Sequence, residues 1–478
     1  MKRHADIALV GAAFGDDRPK VLEPQDEIGR QSHPTVHELP GLQKIEQGEE
    51  EERLVRREAL LGVVIDAEGG KAGEPGDGRH GWKISCRVWA QIDERTVVRC
   101  CFFVIYLDHN ATTPVLTEVV DAMMPYLVSE WGNPSSAYRF GARAKAAVEK
   151  ARAQVAALVN ARPEEVVFTS CATEANNTAI HSALMANPAK RHVVTSQVEH
   201  SSVLHYCQEL ERRGYEVTYL PVCSEGLLDL NQLERAIRPD TAVVSLMWAN
   251  NETGVIWPVK AIGEICLRCG VLYHCDAVQA VGKIPVDFTG LPIQFLTLSG
   301  HKLGAPKGIG ALVVRDGVYF HALILGGKQE AGRRGGTECV PLIVALGEAA
   351  RIAQTRTYDD WARIAAIRDA FDYEILASVP SAYRNGAKNT RLPNTTNLGF
   401  TGCDNDALVT FCDRNGICIS SGSACLESAI SPSHVILSMT RSHDKASESI
   451  RVSIGCGAKD TCLQALTRAL KQFTQTAM

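Results

Sequence analysis

From residue 104 onward, the chain alternates short runs of β-branched and apolar residues with longer amphipathic segments. This alternation is typical of parallel strands joined by crossover helices, and apolar runs of this length are typical of strands buried on both faces. The sequence therefore predicts an α/β fold with a mainly parallel sheet. The strand candidates are Val166–Thr169, His192–Thr195, Ala242–Met247, Val271–His274 and Phe295–Leu298, and the helix candidates are Gly141–Val159, Asn231–Ile237 and Val259–Cys269.

After about residue 345 the pattern changes to a long helical region followed by a smaller mixed segment. Gly347–Ala377 has the periodicity of one or two long helices, and Thr461–Phe473 predicts a final helix. Thr396–Phe400 and Gly416–Ser420 predict short strands between them. We therefore expect a large domain over residues 104–345 and a smaller α+β domain over residues 346–478.

Residues 1–103 have a different composition from the rest of the chain. They carry 19 acidic and 15 basic side chains, an acidic run at Glu49–Glu52 and a glycine-rich stretch over residues 68–81, with little sustained periodicity. Such a segment offers little apolar surface for a core, which predicts a poorly ordered N-terminal extension. A regulatory or docking segment, or a start codon assigned too far upstream, would fit the same composition.

The overall charge and the cysteine content limit the class of partner. A net charge of −5 in 478 residues argues against nucleic acid or an anionic membrane as the main partner, and no apolar run approaches the ~20 residues of a membrane span. Sixteen cysteines without the spacing of a disulfide framework indicate a reducing compartment. The basic, apolar start resembles a signal peptide but is interrupted by Asp6, so we expect a cytoplasmic protein. The net charge leads us to expect a small molecule as its partner.

Polar residues follow three of the strand candidates, where ligands of parallel sheets bind. Residues 170–174 follow the first strand candidate and suit a phosphate at a helix N-terminus. Asp276 and Gln279 place a carboxylate and an amide after the candidate Val271–His274, and Lys302 comes shortly after the candidate Phe295–Leu298. Singly, these are equally an ordinary helix cap, a solvated aspartate and a surface lysine. Together they supply the Schiff-base amine, the pyridinium partner and the anion cradle of a pyridoxal phosphate site.

Eight motifs in the same order resemble those of the pyridoxal-phosphate cysteine desulfurases of the class V aminotransferase family. The resemblance extends from about Ile105 to the C-terminus and is nearest to the NifS type, with the IscS type close behind. It implies a fold-type I enzyme with a seven-stranded, mainly parallel sheet flanked by helices. The motifs are Tyr106–Pro114, Gly132–Ser136, Glu199–His200, Ala249–Gly254, His274–Gln279, Ser299–Lys302, Gly332–Glu338 and Ser420–Cys425.

The resemblance also implies a role for each matching residue. Lys302 would hold the cofactor covalently and move protons, Asp276 would pair with the pyridine nitrogen, Gln279 would bond the phenolic oxygen, and His200 would stack on the ring as a catalytic residue. Asn251 and Arg451 would engage the substrate carboxylate, with Asn251 also at the cofactor. The phosphate would be held by Ala172, Thr173, Ser299, Gly300 and His301, and by Thr337 from the other subunit of a homodimer.

Cys425 is the expected sulfur acceptor, since its small neighbours leave the thiol accessible. The enzyme would convert L-cysteine to L-alanine, keep the sulfur as a persulfide, and pass it to an iron–sulfur scaffold or another acceptor protein, in particular for nitrogenase. We expect no resident metal, although Cys425 would transiently hold sulfur or a nascent cluster. The alternatives are a selenocysteine lyase or other β-eliminating enzyme, which the Ser420–Cys425 motif disfavours, and a non-catalytic sulfur-transfer scaffold.

Three cysteine and histidine pairs and one divergent segment complete the candidates. Cys266 and Cys269 have CxxC spacing but lack a second pair, so buried helix thiols are expected there. Cys100–Cys101 are expected to be spare thiols, and His200 with His205 lacks a third metal ligand. Residues 441–449, and the chain after Gly455, depart from the family pattern next to Arg451.

Overall fold

The computed structural model describes residues 104–422 and 432–477, which belong to one compact unit. The predicted extension over residues 1–103 and the segment 423–431, which contains Cys425, lie outside the described residues. None of the described helices combines the length and apolar character needed to cross a membrane.

A seven-stranded sheet forms the centre of the larger part of the fold, which confirms the predicted α/β class. Its strand order is β2-β8-β7-β6-β5-β3-β4, and all neighbours are parallel except those of β8, which runs antiparallel to both β2 and β7. The strands are β2 Val166–Thr169, β3 His192–Ser196, β4 Glu216–Leu220, β5 Thr241–Met247, β6 Leu272–Asp276, β7 Phe295–Ser299 and β8 Gly310–Val314.

Helices enclose this sheet, so its inner strands are buried on both faces, whereas the edge strand β4 is partly exposed. β5, for example, is buried at all seven positions, as its continuous apolar and β-branched sequence predicts. The helices of this part are α1 Thr117–Val128, α2 Arg139–Leu158, α3 Ala172–Ala186, α4 Ser201–Arg212, α5 Leu230–Ala236, α6 Val259–Arg268 and α7 Val340–Gln354.

Helices α2 and α7 pack unusually closely because small residues meet at their contact. Gly347 of α7 lies against Ala151 of α2, and a Cβ added at Gly347 would come within 2.6 Å of the Ala151 Cα. Such a distance is shorter than any real Cβ contact, so even alanine at position 347 would force these helices apart.

The C-terminal part has its own sheets and its own hydrophobic core. Three antiparallel strands pair in the order β12-β10-β9, and a parallel two-stranded sheet joins β1 to β11. The core includes Phe371, Leu398, Phe400 and Leu466. The elements are β1 Ile105–Tyr106, α8 Tyr358–Ser378, β9 Ala382–Asn385, β10 Thr395–Phe400, α9 Asn405–Arg414, β11 Ile417–Cys418, α10 His434–Thr440, α11 His443–Ser447, β12 Ser449–Ser453 and α12 Asp460–Ala477.

The long helical region predicted over Gly347–Ala377 is two helices, α7 and α8. Thr357 is the N-cap at which α8 begins. Its hydroxyl accepts from the Asp360 backbone NH, and the Asp360 carboxylate accepts from the Thr357 backbone NH, which forms a capping box. The predicted domain boundary at residue 345 falls inside α7, and the division into two domains stays a prediction.

The strand predictions were correct in place but incomplete in number. β6 extends to Asp276, two residues beyond the predicted end at His274, so Asp276 is the last strand residue and does not begin a loop. In the large sheet β4 and β8 were not predicted, and in the C-terminal part β1, β9 and β12 were not predicted. β8 begins at Gly310, at the end of a glycine-rich stretch that has the composition of a loop, and only its pairing with β2 and β7 makes it a strand.

Candidate active site

Three of the predicted site segments meet at one edge of the large sheet. β2 and β7 both run antiparallel to β8, so they run parallel to each other, and their carboxyl ends lie at the same edge as that of β6. Gly310 pairs with both Thr169 and Ser299, the last residues of β2 and β7. A Cβ on Gly310 would lie 2.8 Å from the Cys171 carbonyl carbon, so glycine is required for this close approach.

The first turn of α3, beside Ser299, has the donors that the phosphate of pyridoxal phosphate needs. Cys171 caps α3 without a side-chain hydrogen bond, which leaves the backbone NH groups of Ala172 and Thr173 available to an anion. Ser299 is buried, and its hydroxyl has no hydrogen-bond partner in the described part of the chain. A buried hydroxyl without a partner, next to free NH groups at a helix N-terminus, is suited to donate a hydrogen bond to a phosphate.

Gly300 and His301 occupy the 3-10 turn Gly300–Lys302 that follows Ser299. His301 Nδ1 lies 3.1 Å from the Thr112 hydroxyl, and burial together with the neighbouring Lys302 and Lys307 lowers the pKa of His301 to about 4. Thr337 is exposed, between Gly336 and the start of α7, and no hydrogen bond among the described residues joins it to the cradle.

Lys302 projects its amine toward the segment that follows β1. Its Nζ donates to the backbone carbonyls of Asn110 at 2.5 Å and Ala111 at 2.6 Å. It is half-buried, and its charge lowers the pKa of both His200 and His301. Lys302 is therefore near enough to His200 for its charge to affect the protonation of that ring.

A chain of hydrogen bonds connects Asp276 to His200. The Asn176 amide of α3 donates to Asp276 Oδ2 at 2.8 Å and to the Ser202 hydroxyl at 2.9 Å, and that hydroxyl lies 2.8 Å from His200 Nδ1. The backbone NH of Val278 donates to the other carboxylate oxygen, Asp276 Oδ1. Asp276 is thus fixed by two donors, in the manner required of a residue that must hold one orientation toward a ring nitrogen.

The protonation state of His200 follows from its partners. Its Nδ1 accepts from the backbone NH of Ser202 at 3.1 Å, so the neutral ring carries its proton on Nε2. Burial lowers the pKa of His200, and Lys302 lowers it further while Asp276 opposes the shift. At neutral pH the ring is therefore an uncharged surface on which an aromatic ring can stack.

Asn110 joins the separate parts of the site, although the sequence had not singled it out. Its backbone carbonyl accepts from Lys302 Nζ and from Gln279 Nε2, the latter at 3.1 Å. Its side-chain oxygen accepts from Lys283 Nζ at 3.0 Å, and its side-chain amide donates to the Asn251 carbonyl at 3.1 Å. Asn110 is 2% exposed, so these bonds are protected from water.

Lys283 is a second residue that the sequence analysis missed. Its amine donates to Gln279 Oε1 at 2.6 Å, so the Gln279 amide must direct its Nε2 hydrogens away from Lys283. Burial, with Lys302 and Arg451 nearby, keeps the pKa of Lys283 well below its usual range. Lys283 is therefore a positioning residue for Gln279 and Asn110.

Replacing Lys283 with methionine is expected to lower the rate of substrate turnover by about 10- to 100-fold, because Gln279 and Asn110 lose the donor that orients them. The absorption band of the bound cofactor is expected to shift as well, since Gln279 is the predicted partner of its phenolic oxygen. Lys260→Met makes the same change at an exposed position of α6 and serves as the control. Parent-like turnover and an unshifted band in Lys283→Met would refute this role.

Arg451 lies in the middle of β12, opposite Asn397 of β10. It is 2% exposed, its guanidinium contacts Asp108 Oδ1 at 2.7 Å and the Asn251 carbonyl at 3.2 Å, and its Nε has no partner among the described residues. The structure thus brings together Arg451 and Asn251, the two predicted substrate-binding residues. The divergent residues 441–449 end in β12 without displacing Arg451 from the sheet.

The two described ends of the Cys425 segment lie at this site. Ser420 exchanges backbone hydrogen bonds with Arg451 at 3.2 and 2.7 Å, just before the segment begins. After the segment, the Ser433 hydroxyl donates to Glu252 Oε2 at 2.5 Å, and a Cβ on Gly422 would lie 3.0 Å from the same oxygen. Glu252 therefore bonds one end of the segment that carries Cys425 and lies beside the other end, while Cys425 itself lies outside the described residues.

Glu199, the residue before His200, is a carboxyl group with no exposed surface. Its Oε1 accepts from the Ser196 hydroxyl at 2.8 Å and from the Met247 NH at 3.1 Å, while no described residue bonds its Oε2. Burial raises the pKa of Glu199 to about 8, against the partial stabilisation of its charge by these donors. The carboxyl group is therefore protonated at neutral pH.

This raised pKa makes folding stability depend on pH. Between the unfolded pKa near 4.5 and the folded pKa of about 8 the folded chain holds an extra proton, so stability falls as pH rises through that window. One such proton changes the free energy of unfolding by at most about 1.4 kcal/mol per pH unit. Denaturant unfolding from pH 5 to 8.5 is expected to show this loss in the parent and in the exposed control Glu264→Gln, but a smaller one in Glu199→Gln. Parallel curves for all three proteins would contradict it.

The Cys266 and Cys269 pair lies at the C-terminal end of α6. Cys266 is buried in α6, where burial raises the pKa of its thiol to about 12, and Cys269 is exposed just after that helix. Cys100–Cys101 lie outside the described residues. Across residues 104–422 and 432–477, no group of three or more His, Cys, Asp or Glu side chains could hold a metal ion.

Comparisons with known proteins agree with this geometry. Residues 105–466 match the family model described as "Aminotransferase class-V". The chain is 50% identical over 351 residues to cysteine desulfurase 2 of Trichormus variabilis, covering 73% of this chain and 88% of that protein. It is 44% identical over 351 residues to cysteine desulfurase NifS of Azotobacter vinelandii, covering 73% of this chain and 87% of that protein. A solved structure of a NifS-like protein matches with a TM-score of 0.73 and 32% identity, over 78% of this chain and all of that one.

Proposed function

The chain belongs to the class V aminotransferase family and, within it, to the cysteine desulfurases, and on that basis we propose that Lys302, His200 and Cys425 carry out its reaction. It is a pyridoxal-phosphate-dependent enzyme that removes sulfur from L-cysteine and releases L-alanine. The observation that carries the residue assignment is the junction of Lys302, His200, Asp276 and Gln279 at one sheet edge.

Pyridoxal phosphate, when bound, supplies an electron sink next to the substrate's α carbon. Ala172, Thr173 and Ser299 hold its phosphate, with Gly300 and His301 beside them. Asp276, oriented by Asn176 and the Val278 NH, holds the ring nitrogen. The amine of Lys302 attaches the cofactor and moves protons at the α carbon, and the neutral His200 ring supports the opposite face.

Arg451 and Asn251 are proposed to bind the substrate carboxylate. The guanidinium offers a planar pair of donors to a carboxylate, and none of the described residues accepts a hydrogen bond from its Nε. Asp108 contacts the Arg451 guanidinium at 2.7 Å and stabilises a buried charge that would otherwise be unpaired. The substrate is therefore expected to share Arg451 with Asp108.

The sulfur is proposed to pass to the Cys425 thiolate. The thiolate attacks the sulfur of the bound cysteine, the carbon–sulfur bond breaks, and the carbon accepts a proton to give alanine while Cys425 keeps the sulfur as a persulfide. L-Cysteine and a thiol thus become L-alanine and a persulfide, with no external oxidant or reductant. Ser420 and Ser433 place both ends of the Cys425 segment at the site.

We propose that the active enzyme is a homodimer that uses apolar side chains on α1 and in the loop around Leu325. Val120, Met124 and Leu127 are exposed on α1, and Leu325 is 77% exposed in the loop. The backbone NH of Gly335 donates to the Ile324 carbonyl, so this loop adjoins the segment that carries Thr337. A second subunit here would bring its Thr337 toward the first subunit's phosphate site.

Leu127→Asp is expected to convert the dimer to a monomer in sedimentation velocity and to lower turnover at least tenfold, because a charge enters an apolar interface and Thr337 is withdrawn. Leu267→Asp places the same charge at an exposed position of α6, away from this surface, and is expected to leave both properties unchanged. A Leu127→Asp protein that remains dimeric would refute this interface.

The persulfide is proposed to supply iron–sulfur cluster assembly through an acceptor protein, in particular for nitrogenase. The similarity to NifS of Azotobacter vinelandii supports that route. A cytoplasmic location fits the twelve described cysteines, which are all free thiols, since a reducing compartment allows thiols to accumulate unpaired.

An assay of alanine formation with L-cysteine or L-selenocysteine as substrate tests the function. The desulfurase is expected to form alanine from L-cysteine in the presence of a reductant, and the Cys425→Ala variant is expected not to. A parent active on L-selenocysteine alone would indicate a selenocysteine lyase. A colourless parent without activity on either substrate would indicate a non-catalytic scaffold.

A further inference from the structure

A cavity outside the cofactor pocket lies where the large sheet's helices meet α8. Its volume is about 580 Å³, within the range that holds a small organic molecule. Its walls are the end of α2, the chain over residues 282–286, the α7–α8 junction and residues 389–393. Lys283, which positions Gln279 and Asn110, is one of its lining residues, whereas Lys302, His200 and Asp276 do not line it.

The lining of this cavity is cationic and contains no carboxylate. Its ionisable side chains are Lys283, Arg356, Arg368 and Arg391, and the rest are apolar, aromatic or neutral polar. Arg368 and Arg391 are paired with the carboxylate of Asp369, which does not line the cavity, so Arg356 carries the unpaired charge of the lining among the described residues. Leu158, Val286 and Trp361 form part of the apolar wall. Such a surface favours a ligand that combines a negative charge with an apolar or aromatic body.

Two of the arginines have bonding capacity that the described residues do not use. Arg356 is half-buried, and no hydrogen bond or ion pair within the described ranges engages its guanidinium. Arg391 is 9% exposed and its guanidinium pairs with Asp369 at 2.6 Å and Asp372 at 2.7 Å, but its Nε has no partner in the part of the chain that the structure describes. A buried donor without a partner, on a residue that lines a cavity, can bind an acceptor placed there.

A second, smaller cavity of about 180 Å³ adjoins the first. The two share Gly282, Lys283, Arg356 and Trp361, and the smaller one reaches His109 and Lys302. A ligand at Arg356 would therefore lie next to the residues that position Gln279 and Asn110, although it would not occupy the substrate pocket.

We propose that the larger cavity is a binding site for a small organic anion, with Arg356 and Arg391 as its anion donors and Trp361 against its apolar part. The ligand class is a carboxylate, sulfonate or phosphate carried on an aromatic or aliphatic body. Arg356 is expected to contribute most to the affinity for the anion, because none of the described residues accepts a hydrogen bond from its guanidinium.

The probe for this site is 8-anilinonaphthalene-1-sulfonate, an aromatic sulfonate whose fluorescence is excited by energy transfer from tryptophan. Titrated into the full-length holoenzyme, it is expected to bind with one site per chain that receives energy from Trp361. The Trp361→Phe variant removes energy transfer from Trp361 but keeps any transfer to probe bound near Trp131, which is 71% exposed, so the difference between parent and variant measures probe bound in the cavity. Competition by octanoate and by adenosine monophosphate distinguishes a carboxylate ligand from a phosphate ligand.

Arg356→Gln is expected to weaken this binding about tenfold or more, since a hydrogen-bonded charge is lost, and Arg356→Lys is expected to recover part of it. Arg351→Gln removes an exposed arginine of α7 that does not line the cavity, and is expected to bind like the parent. The proposal is overturned if Arg356→Gln binds like the parent, or if the Trp361→Phe variant loses none of the transferred signal.

Discussion

Replacing Lys302 with alanine is expected to abolish the release of alanine from L-cysteine and to remove the covalently held cofactor from the purified protein. The loss of turnover is expected to exceed about 10²–10⁴-fold, because one amine serves both as the attachment point and as the proton carrier. The buried Lys283 amine cannot replace it, since that amine is bonded to Gln279 and Asn110.

The measurement is turnover together with the absorption spectrum before and after denaturation. Parent protein is expected to retain the cofactor through reduction by borohydride and denaturation, whereas Lys302→Ala is expected to release it. Lys307→Ala, an exposed lysine five residues further on, controls for the loss of a positive charge near the site. A Lys302→Ala protein with measurable multiple turnover would exclude Lys302 as the proton carrier.

Replacing Cys425 with alanine is expected to separate sulfur transfer from cofactor binding. The variant is expected to keep the cofactor band of the parent and still bind L-cysteine, because Lys302, Asp276 and Arg451 are unchanged. Alanine release is expected to fall at least 100-fold, since the nucleophile that accepts the sulfur is missing. Stopped-flow absorbance with L-cysteine measures binding, and amino-acid analysis measures alanine.

Cys418→Ala is the matched control, because Cys418 precedes Cys425 by only seven residues but lies in β11. Burial raises the pKa of Cys418, which makes it a poor nucleophile at neutral pH. Cys418→Ala is expected to have parent-like turnover. Equal loss in the two variants would show that the segment tolerates no change and would leave no special role for the Cys425 thiol.

The fold class and the principal site residues could be predicted because their signals are local. Buried apolar runs with polar residues just beyond them predicted strand ends near Asp276 and Lys302, and small and hydroxyl residues before and within the first turn of α3 predicted a phosphate site, which stays a prediction. Parallel topology then places those ends together, so chain order sufficed to predict a joint site.

Asn110, Asn176 and Lys283 could not be predicted because their roles arise from contacts between distant segments. Lys283 lies 173 residues from Asn110 along the chain, and Asn176 lies 100 residues from Asp276. An asparagine in a helix or a lysine after a strand has no local signature of such a role. Strand β8 was missed for the same reason, since its glycine-rich start is a strand only beside β2 and β7.

The most direct test of the central claim is to locate the transferred sulfur by mass spectrometry. Holoenzyme is mixed with L-cysteine without reductant, thiols and persulfides are alkylated, and the protein is digested with trypsin. Cys418 and Cys425 fall in one peptide, Asn415–Arg441, so fragmentation compares them within a single molecule. The account predicts one additional sulfur atom on Cys425 and none on Cys418, with one alanine released per persulfide. Alanine released without sulfur on Cys425, or sulfur on Cys418 instead, would contradict it.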